Sequence, residues 1–231
     1  KVLLIEKNKM GGDCLNTGCV PSKALIKAAK ISENCKKSAG FGINISEYSI
    51  DFKKVMEHVK TSIFKIEPHD SVDRYTNLGV DCIKGEARIV SPWEVEVNDR
   101  LLTTKNIVIA TGAAPSIPAI TGLIKDNVFT SESIWNLDYK PDSLAIIGGG
   151  FIGIELAQAF SRLQINVHLF ESGSRLLQEL DFETSKFVLN TLRKSGVHVY
   201  LETDIREVIT DGDVKKIAFK QSEKNDATSV H

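Results

Sequence analysis

The sequence has 231 residues, of which 42% are apolar and 26% are charged. This composition is ordinary for a globular protein and excludes a disordered polymer, a coiled coil and a collagen. Lys and Arg number 29 against 30 Asp and Glu, whereas a dedicated nucleic-acid binder usually has a basic face. We therefore expect no nucleic-acid partner.

The longest apolar run, residues 144–160, contains several glycines as well as Glu155 and Gln158. A membrane-spanning helix needs about 20 mostly apolar residues, so this run predicts a buried strand that turns into a helix. No signal peptide precedes the first strand. The sequence therefore predicts a cytoplasmic protein with no membrane segment.

The first predicted element is a short buried strand, Val2–Glu6. Buried parallel strands are typically continuous apolar runs. An acidic residue at the end of such a strand often binds a ribose hydroxyl in nucleotide-binding folds. Glu6 alone does not identify a site of this kind.

Two cysteines follow in the segment 11–23, which reads GGDCLNTGCVPSK. Structural zinc needs four ligands, and no second Cys or His pair follows, so a redox pair is favoured over a zinc site. In a regular helix the Cα atoms of Cys14 and Cys19 would be about 8–9 Å apart, whereas a disulfide needs roughly 4.4–6.8 Å. A bridge therefore requires a distorted first turn, which Gly18 and Pro21 allow.

The position of this pair also favours a reactive thiol. The N-terminus of a helix stabilises a thiolate through its backbone N–H groups and dipole. Lys23 follows Cys19 by four residues and lies on the same helical face. The other two cysteines, Cys35 and Cys82, are interpreted as small, partly buried side chains.

The elements between this motif and the next glycine-rich segment come from apolar periodicity and turn residues. They are a helix over 21–38, a helix over 51–77 that Pro68 should bend or split, β segments at 80–84, 86–90, 93–97 and 101–105, a buried strand at 107–110, and a connector with a short helix near 130–135.

A dinucleotide-binding fingerprint occupies the second half of the chain. A predicted strand at 144–147 leads into Gly148, Gly150 and Gly153, which open a helix, and Glu171 ends the next strand about 20 residues later. The glycines allow a tight turn and a close approach to a pyrophosphate at the helix N-terminus. Glu171 would bind a ribose 2′-OH and repel a 2′-phosphate, which favours NAD over NADP.

The remaining elements are a helix over 182–195, a strand at 197–201, a hairpin of 205–209 with 214–219, and a frayed polar tail from 221. None of the five scattered histidines has a helical or strand partner that suggests a ligand or a catalytic dyad, and all five are interpreted as structural or surface residues. They are His58, His69, His168, His198 and His231. The sequence therefore predicts no metal site.

With the motif at 11–23 and the fingerprint at 148–153 in one chain, the sequence resembles the pyridine nucleotide-disulfide oxidoreductases. This resemblance implies that Cys14 exchanges with substrate and that Cys19 faces the flavin. It also implies that Lys23 lies near flavin N5, paired with Glu155. A cation there would stabilise the reduced, anionic ring, and the acid would hold the cation in place.

The resemblance implies further cofactor contacts. Those to FAD are Glu6, Gly12, Ala87, Thr111 and Gly112, and those to NAD are Gly148, Gly150, Gly153, Glu171 and Ile205. Phe151 falls where several relatives have a tyrosine that covers the flavin; a phenylalanine can cover the ring but cannot donate a hydrogen bond.

The implied fold class is α/β, with two Rossmann-like FAD/NAD(P)-binding domains built on parallel sheets, the first incomplete and the second truncated. We expect a partial FAD-binding domain over residues 1–115, a connector over 116–142 and an NAD-binding domain over 143–231. The family's first glycine fingerprint and its C-terminal domain lie outside this sequence. The chain is therefore expected to be an internal, inactive piece of a homodimeric protein that binds FAD weakly or not at all.

The implied function is electron transfer between NAD(H), FAD and a Cys14–Cys19 disulfide, as in dihydrolipoamide dehydrogenase. Three alternatives stay open: a mercuric reductase that acts on Hg2+, a glutathione reductase-like enzyme, or a nucleotide-binding module without catalysis. The expected partner is a small or protein-bound disulfide or dithiol, and nothing in the residues chooses among these substrates.

Overall fold

The computed structural model describes residues 1–124, 128–212, 214–221 and, for the backbone, 224–230. The chain forms two compact units. The first comprises Lys1–Pro21 and Val59–Ala114, and the second comprises Ser22–His58 and Pro115–His231. His231 lies outside the described residues.

The first unit contains a parallel pair of strands and a small antiparallel sheet. β1 (Val2–Glu6) pairs with β2 (Val80–Lys84), in register from Val2 opposite Val80 to Glu6 opposite Lys84. The antiparallel sheet has β3 (Arg88–Ser91), β4 (Glu94–Val97) and β5 (Arg100–Thr103), in that order. The three β segments predicted between 86 and 105 therefore form one meander.

Four helices precede or follow these strands in the chain. They are α1 (Gly12–Asn16), α2 (Cys19–Lys37), α3 (Phe52–Ile66) and α4 (Val72–Asn77). A short 3-10 turn at Glu67–Asp70 separates α3 from α4. The sequence predicts this split at Pro68, because proline cannot donate the backbone hydrogen bond that a continuous helix needs.

The second unit is built on a three-stranded parallel sheet. Its strands are β6 (Ser143–Ile147), β7 (Asn166–Phe170) and β8 (His198–Tyr200), in that order. The connecting helices are α5 (Phe151–Arg162) and α6 (Phe182–Lys194). This arrangement is the β-α-β-α-β series that the fingerprint requires.

A tight turn joins β6 to α5. The backbone N–H of Gly148 donates to the carbonyl of Phe170 at 2.8 Å, which ties the turn to β7. A Cβ atom at Gly153 would overlap the carbonyl oxygen of Gly148, whereas a Cβ atom at Gly150 would meet open space. Gly153 therefore sets the packing of helix against strand, and Gly150 leaves the start of α5 open.

An antiparallel sheet of β9 (Thr203–Asp211), β10 (Val214–Gln221) and β11 (Lys224–Val230) completes the second unit. A buried cluster comprises Phe170 of β7 together with Val208, Ile217 and Phe219 of this sheet. Elsewhere in the unit α3 packs on α5, where the Phe52 and Phe160 rings are 6.4 Å apart.

Two predicted elements are wrong. Residues 107–110 form no strand, and Val108 and Ile109 are 87% and 69% exposed. Apolar runs indicate a strand only where a neighbouring strand pairs with them, and no strand among the described residues pairs with this one. The tail, predicted to fray, contains β11, which pairs with β10.

Two of the five histidines, His168 and His198, are register partners on β7 and β8. Their rings stack with centroids 4.8 Å apart, and His168 Nδ1 lies 3.1 Å from the hydroxyl of Tyr200. Among the described residues no three His, Cys, Asp or Glu side chains gather in a way that could hold a metal ion. No helix in the described part of the chain is long and apolar enough to span a bilayer.

The stacked histidines predict a pH-dependent stability. Burial lowers the pKa of His168, and the adjacent His198 lowers it further. Below the ordinary histidine pKa of about 6.5, the unfolded chain therefore takes up a proton that folded His168 does not. The free energy of unfolding should decrease as the pH falls through this value and below it.

Urea unfolding at a series of pH values measures this decrease. His168→Gln should show a shallower pH dependence than the natural chain, whereas the exposed His69→Gln should keep the original slope. Equal slopes in all three proteins would contradict the assignment to His168.

The two glycines of the turn should behave differently when each is replaced by valine. Gly153→Val should lower the free energy of unfolding by about 1–3 kcal/mol, because the new side chain overlaps backbone. Gly150→Val should cost less than about 1 kcal/mol, since its site is open. Urea titration measures both values, and equal losses would show that the close approach at Gly153 is not limiting.

Candidate redox and nucleotide sites

The two motif cysteines lie on separate helices that are joined by a tight turn. Cys14 is in α1, and Cys19 is the first residue of α2, two residues earlier than predicted. The backbone N–H groups of Thr17 and Gly18 both donate to the carbonyl of Asp13, at 2.9 and 2.6 Å. The distorted turn that a Cys14–Cys19 bridge requires is therefore present.

Both cysteines are exposed, and neither is in a disulfide. The hydrogen bond that Cys14 makes with the side chain of Cys19 raises the pKa of the Cys14 thiol, and partial burial raises it further. The backbone N–H of Cys19 acts in the opposite direction and lowers the pKa of Cys14, but the net shift is upward. Cys35 and Cys82 are half-buried.

The cation and the acid that were expected to pair are in contact. Lys23 Nζ, one helical turn after Cys19 on α2, donates to Glu155 Oε1 of α5 at 3.0 Å. Their side chains are 63% and 43% exposed. Exposed ion pairs typically contribute about 0–1 kcal/mol to the free energy of unfolding. The fold therefore does not depend on the contact between Lys23 and Glu155.

The two strand-end acids adopt the same local arrangement. Glu6 Oε1, at the end of β1, accepts from the backbone N–H of Asn8 at 2.7 Å. Glu171 Oε1, directly after β7, accepts from the N–H of Gly173 at 2.7 Å. In open α/β sheets, ligands bind at the carboxyl ends of parallel strands, which is where both carboxylates lie.

Gly149 and Gln178 also donate to the Glu171 carboxylate. Its Oε2 accepts from the backbone N–H of Gly149 at 2.7 Å, and its Oε1 also accepts from Gln178 Nε2 at 3.1 Å. The reasoning from sequence missed Gly149 and Gln178. The sequence contains one signal for Gly149. It is an extra glycine between Gly148 and Gly150, and the fingerprint spacing requires those two but not Gly149.

The remaining predicted FAD residues lie in the first unit. Gly112 approaches the cysteine helix, because a Cβ atom there would stand 3.0 Å from Asp13 Oδ2. Its neighbour Thr111 is exposed, as is Ala87, which follows β2. Gly12, the first residue of α1, has a positive φ of 53°. The structure thus brings Gly112 close to Asp13 of the redox motif, of which Gly12 is itself a part, while Ala87 lies in the turn between β2 and β3.

Two predicted residues of the second unit differ in their surroundings. Phe151 is the first residue of α5 and is 60% exposed, so its ring is accessible. Ile205 lies on β9 and packs against the buried cluster that contains Phe170 and Phe219. Its side chain contributes to that core, and its contact with NAD stays a prediction.

Comparison with known proteins places this geometry in context. The model of the pyridine nucleotide-disulphide oxidoreductase family matches residues 1–230. A mercuric reductase of Bacillus cereus is 35% identical over 217 residues, which are 94% of this chain and 34% of that protein. A dihydrolipoyl dehydrogenase of Acholeplasma laidlawii is 34% identical over 213 residues, which are 90% of this chain and 63% of that protein.

Solved structures show the same fold. The HOCl-induced flavoprotein disulfide reductase RclA of Escherichia coli matches with a TM-score of 0.77 and 24% identity, over 99% of this chain and 48% of that one. The chain thus spans less than two thirds of the length of these relatives. The family match extends over nearly all of its residues, and the chain belongs to the pyridine nucleotide-disulphide oxidoreductase family.

Proposed function

We propose that this chain is part of an FAD-dependent oxidoreductase that passes electrons between NAD(H), FAD and a Cys14–Cys19 disulfide, in the manner of dihydrolipoamide dehydrogenase. The observation that carries the proposal is the pair of exposed, hydrogen-bonded thiols at the break between α1 and α2. A structural pair would gain nothing from exposure, whereas a pair that exchanges with substrate needs it.

The thiols supply the chain's own part of the redox chemistry. When the S–S bond forms, the two thiols together release two protons and two electrons. We assign Cys19, at the start of the 19-residue helix α2, as the sulfur that faces the flavin. We assign Cys14, whose pKa is raised by its hydrogen bond to Cys19, as the sulfur that exchanges with substrate, a reaction in which it acts after losing its proton.

The donor set also suits a bound FAD, which supplies the two-electron acceptor. Lys23, oriented by Glu155, would provide positive charge near the reduced ring. Glu6, whose carboxylate is held by Asn8, would accept from the adenosine ribose. The other residues that we assign to FAD are Gly12, Ala87, Thr111 and Gly112.

The turn at the start of α5 would hold NAD(H). Gly148, Gly150 and Gly153 let a pyrophosphate approach the N–H groups of the helix. Glu171 would accept from the adenosine ribose and would repel a 2′-phosphate, so NAD is favoured over NADP. We assign secondary roles to Phe151, which would cover the flavin, and to Ile205, which would contact the adenosine.

A mercuric reductase is the second candidate. The relatives of that name in Bacillus cereus and Lysinibacillus sphaericus are each 35% identical over 94% of this chain, so Hg2+ competes with a disulfide or dithiol as the substrate. The glutathione reductase-like alternative, the homodimer, the cytoplasmic location and the domain limits at 115 and 142 stay predictions from the sequence.

Thiol mapping tests the redox pair. The chain is equilibrated in glutathione buffers of increasing oxidising strength, and the remaining thiols are alkylated. The protein is then digested without reductant, and disulfide-linked peptides are identified by mass spectrometry. We expect Cys14 and Cys19 to be linked in most molecules, with Cys35 and Cys82 alkylated. Cys14→Ser and Cys19→Ser should each abolish the link.

The matched control is the double variant Cys35→Ser/Cys82→Ser, which removes the two half-buried thiols. It should form the same link in the same buffers. If Cys14 and Cys19 stay alkylated in every buffer, or pair with the other two cysteines instead, the proposed redox function is wrong.

A further inference from the structure

The backbone of Gly149 is held on one side by Glu171 and on the other by the segment 172–178 that follows it, here called the 172–178 loop. The N–H of Leu177 donates to the carbonyl of Gly149 at 3.1 Å, while the N–H of Gly149 donates to Glu171 Oε2. A Cβ atom at position 149 would lie 2.5 Å from the side chain of the fully buried Leu176. A larger residue at position 149 would therefore collide with the loop that packs over the turn.

The same loop fixes the Glu171 carboxylate. Oε1 accepts from the N–H of Gly173 at 2.7 Å, from Gln178 Nε2 at 3.1 Å and, at 3.4 Å, from Ser172 Oγ. Oε2 accepts from Gly149. With donors on both oxygens, the carboxylate has one orientation, and charge-assisted bonds of this kind are among the stronger ones.

Among these donors, Gln178 is the one that reaches the Glu171 carboxylate with a long side chain from seven residues further along the chain. Its amide lies against Gly173, where a Cβ atom would overlap it. Its own carbonyl accepts from Arg175 Nη2 at 2.6 Å. Gln178 is thus tied to the loop at its backbone and to the carboxylate at its side chain.

We propose that Gln178 is a positioning residue which, by fixing Glu171, sets the discrimination between NAD(H) and NADP(H). This inference rests on the dinucleotide site of the proposed function. A fixed carboxylate presents an acceptor to a ribose 2′-OH and keeps its charge where a 2′-phosphate would lie. Without Gln178, the carboxylate keeps the backbone donors of Gly149 and Gly173 but loses its longest-range side-chain donor. Its Oε1 atom is then less firmly held, which weakens the first contact and relieves part of the repulsion.

The test measures the Kd of NADH and of NADPH for the 231-residue chain by titration calorimetry. Gln178→Ala should raise the Kd of NADH about three- to tenfold, as expected for the loss of one typical exposed hydrogen bond, and should leave the Kd of NADPH unchanged or lower. Gln178→Met, which keeps the length without the donor, should behave in the same way. Glu171→Gln should remove most of the discrimination.

Glu179→Ala is the matched control, because Glu179 is the exposed neighbour of Gln178 and should bind both dinucleotides as the natural chain does. Hydrogen exchange gives a readout without ligand: the amides of Gly149 and Gly173 should exchange faster in both Gln178 variants. If Gln178→Ala changes the Kd of NADH and the Kd of NADPH by the same factor, so that their ratio is unchanged, the proposed role of Gln178 is wrong, whatever the exchange rates are. If the natural chain binds neither dinucleotide, the dinucleotide site of the proposed function fails instead.

Discussion

The thiol chemistry depends on one backbone oxygen. The carbonyl of Asp13 accepts from the N–H groups of both Thr17 and Gly18, and this ends α1 before Cys19 can join it. In one continuous helix the Cα atoms of Cys14 and Cys19 would be about 8–9 Å apart, beyond the roughly 4.4–6.8 Å of a disulfide. Because the helix restarts at Cys19, that residue also gains the N-terminal position where a thiolate is stabilised.

The two units use the same short arrangement at the end of a parallel strand. An acid follows the apolar run, and its carboxylate accepts from the N–H two residues later, at Asn8 in one unit and Gly173 in the other. The arrangement orients a negative acceptor at the sheet edge where nucleotides bind. The second copy differs because Gly149 and Gln178 add donors, which makes Glu171 the more rigid of the two acids.

Features that depend on a few adjacent residues could be predicted from the sequence. The turn at Gly148–Gly153, the split at Pro68 and the break between the cysteines all follow from backbone restrictions at glycine and proline. Features that depend on which strands pair, and in which register, could not be predicted. An isolated apolar run such as 107–110 does not reveal whether a strand lies beside it, and the stacking of His168 on His198 follows from the register of β7 and β8.

The same limit explains why Gln178 and Gly149 were missed in the candidate site. Gln178 is a polar residue of a loop without periodicity, and its partner becomes apparent only when the loop folds back onto the glycine turn. Gly149 was visible as an extra glycine, but the fingerprint neither requires nor excludes it. Glycine is needed there because the buried side chain of Leu176 leaves no room for a Cβ atom. Rules based on residue spacing cannot predict this contact.

The magnitudes of the interactions separate residues that fold the chain from residues that act in it. Phe160 is fully buried, and losing such a side chain typically costs about 3–5 kcal/mol. The exposed ion pair of Lys23 with Glu155 contributes about 0–1 kcal/mol to folding, and the exposed hydrogen bond of Gln178 to Glu171 contributes about 0.5–1.5 kcal/mol. Stability does not require these contacts, so changing them alters charge and orientation in the sites while the fold is kept.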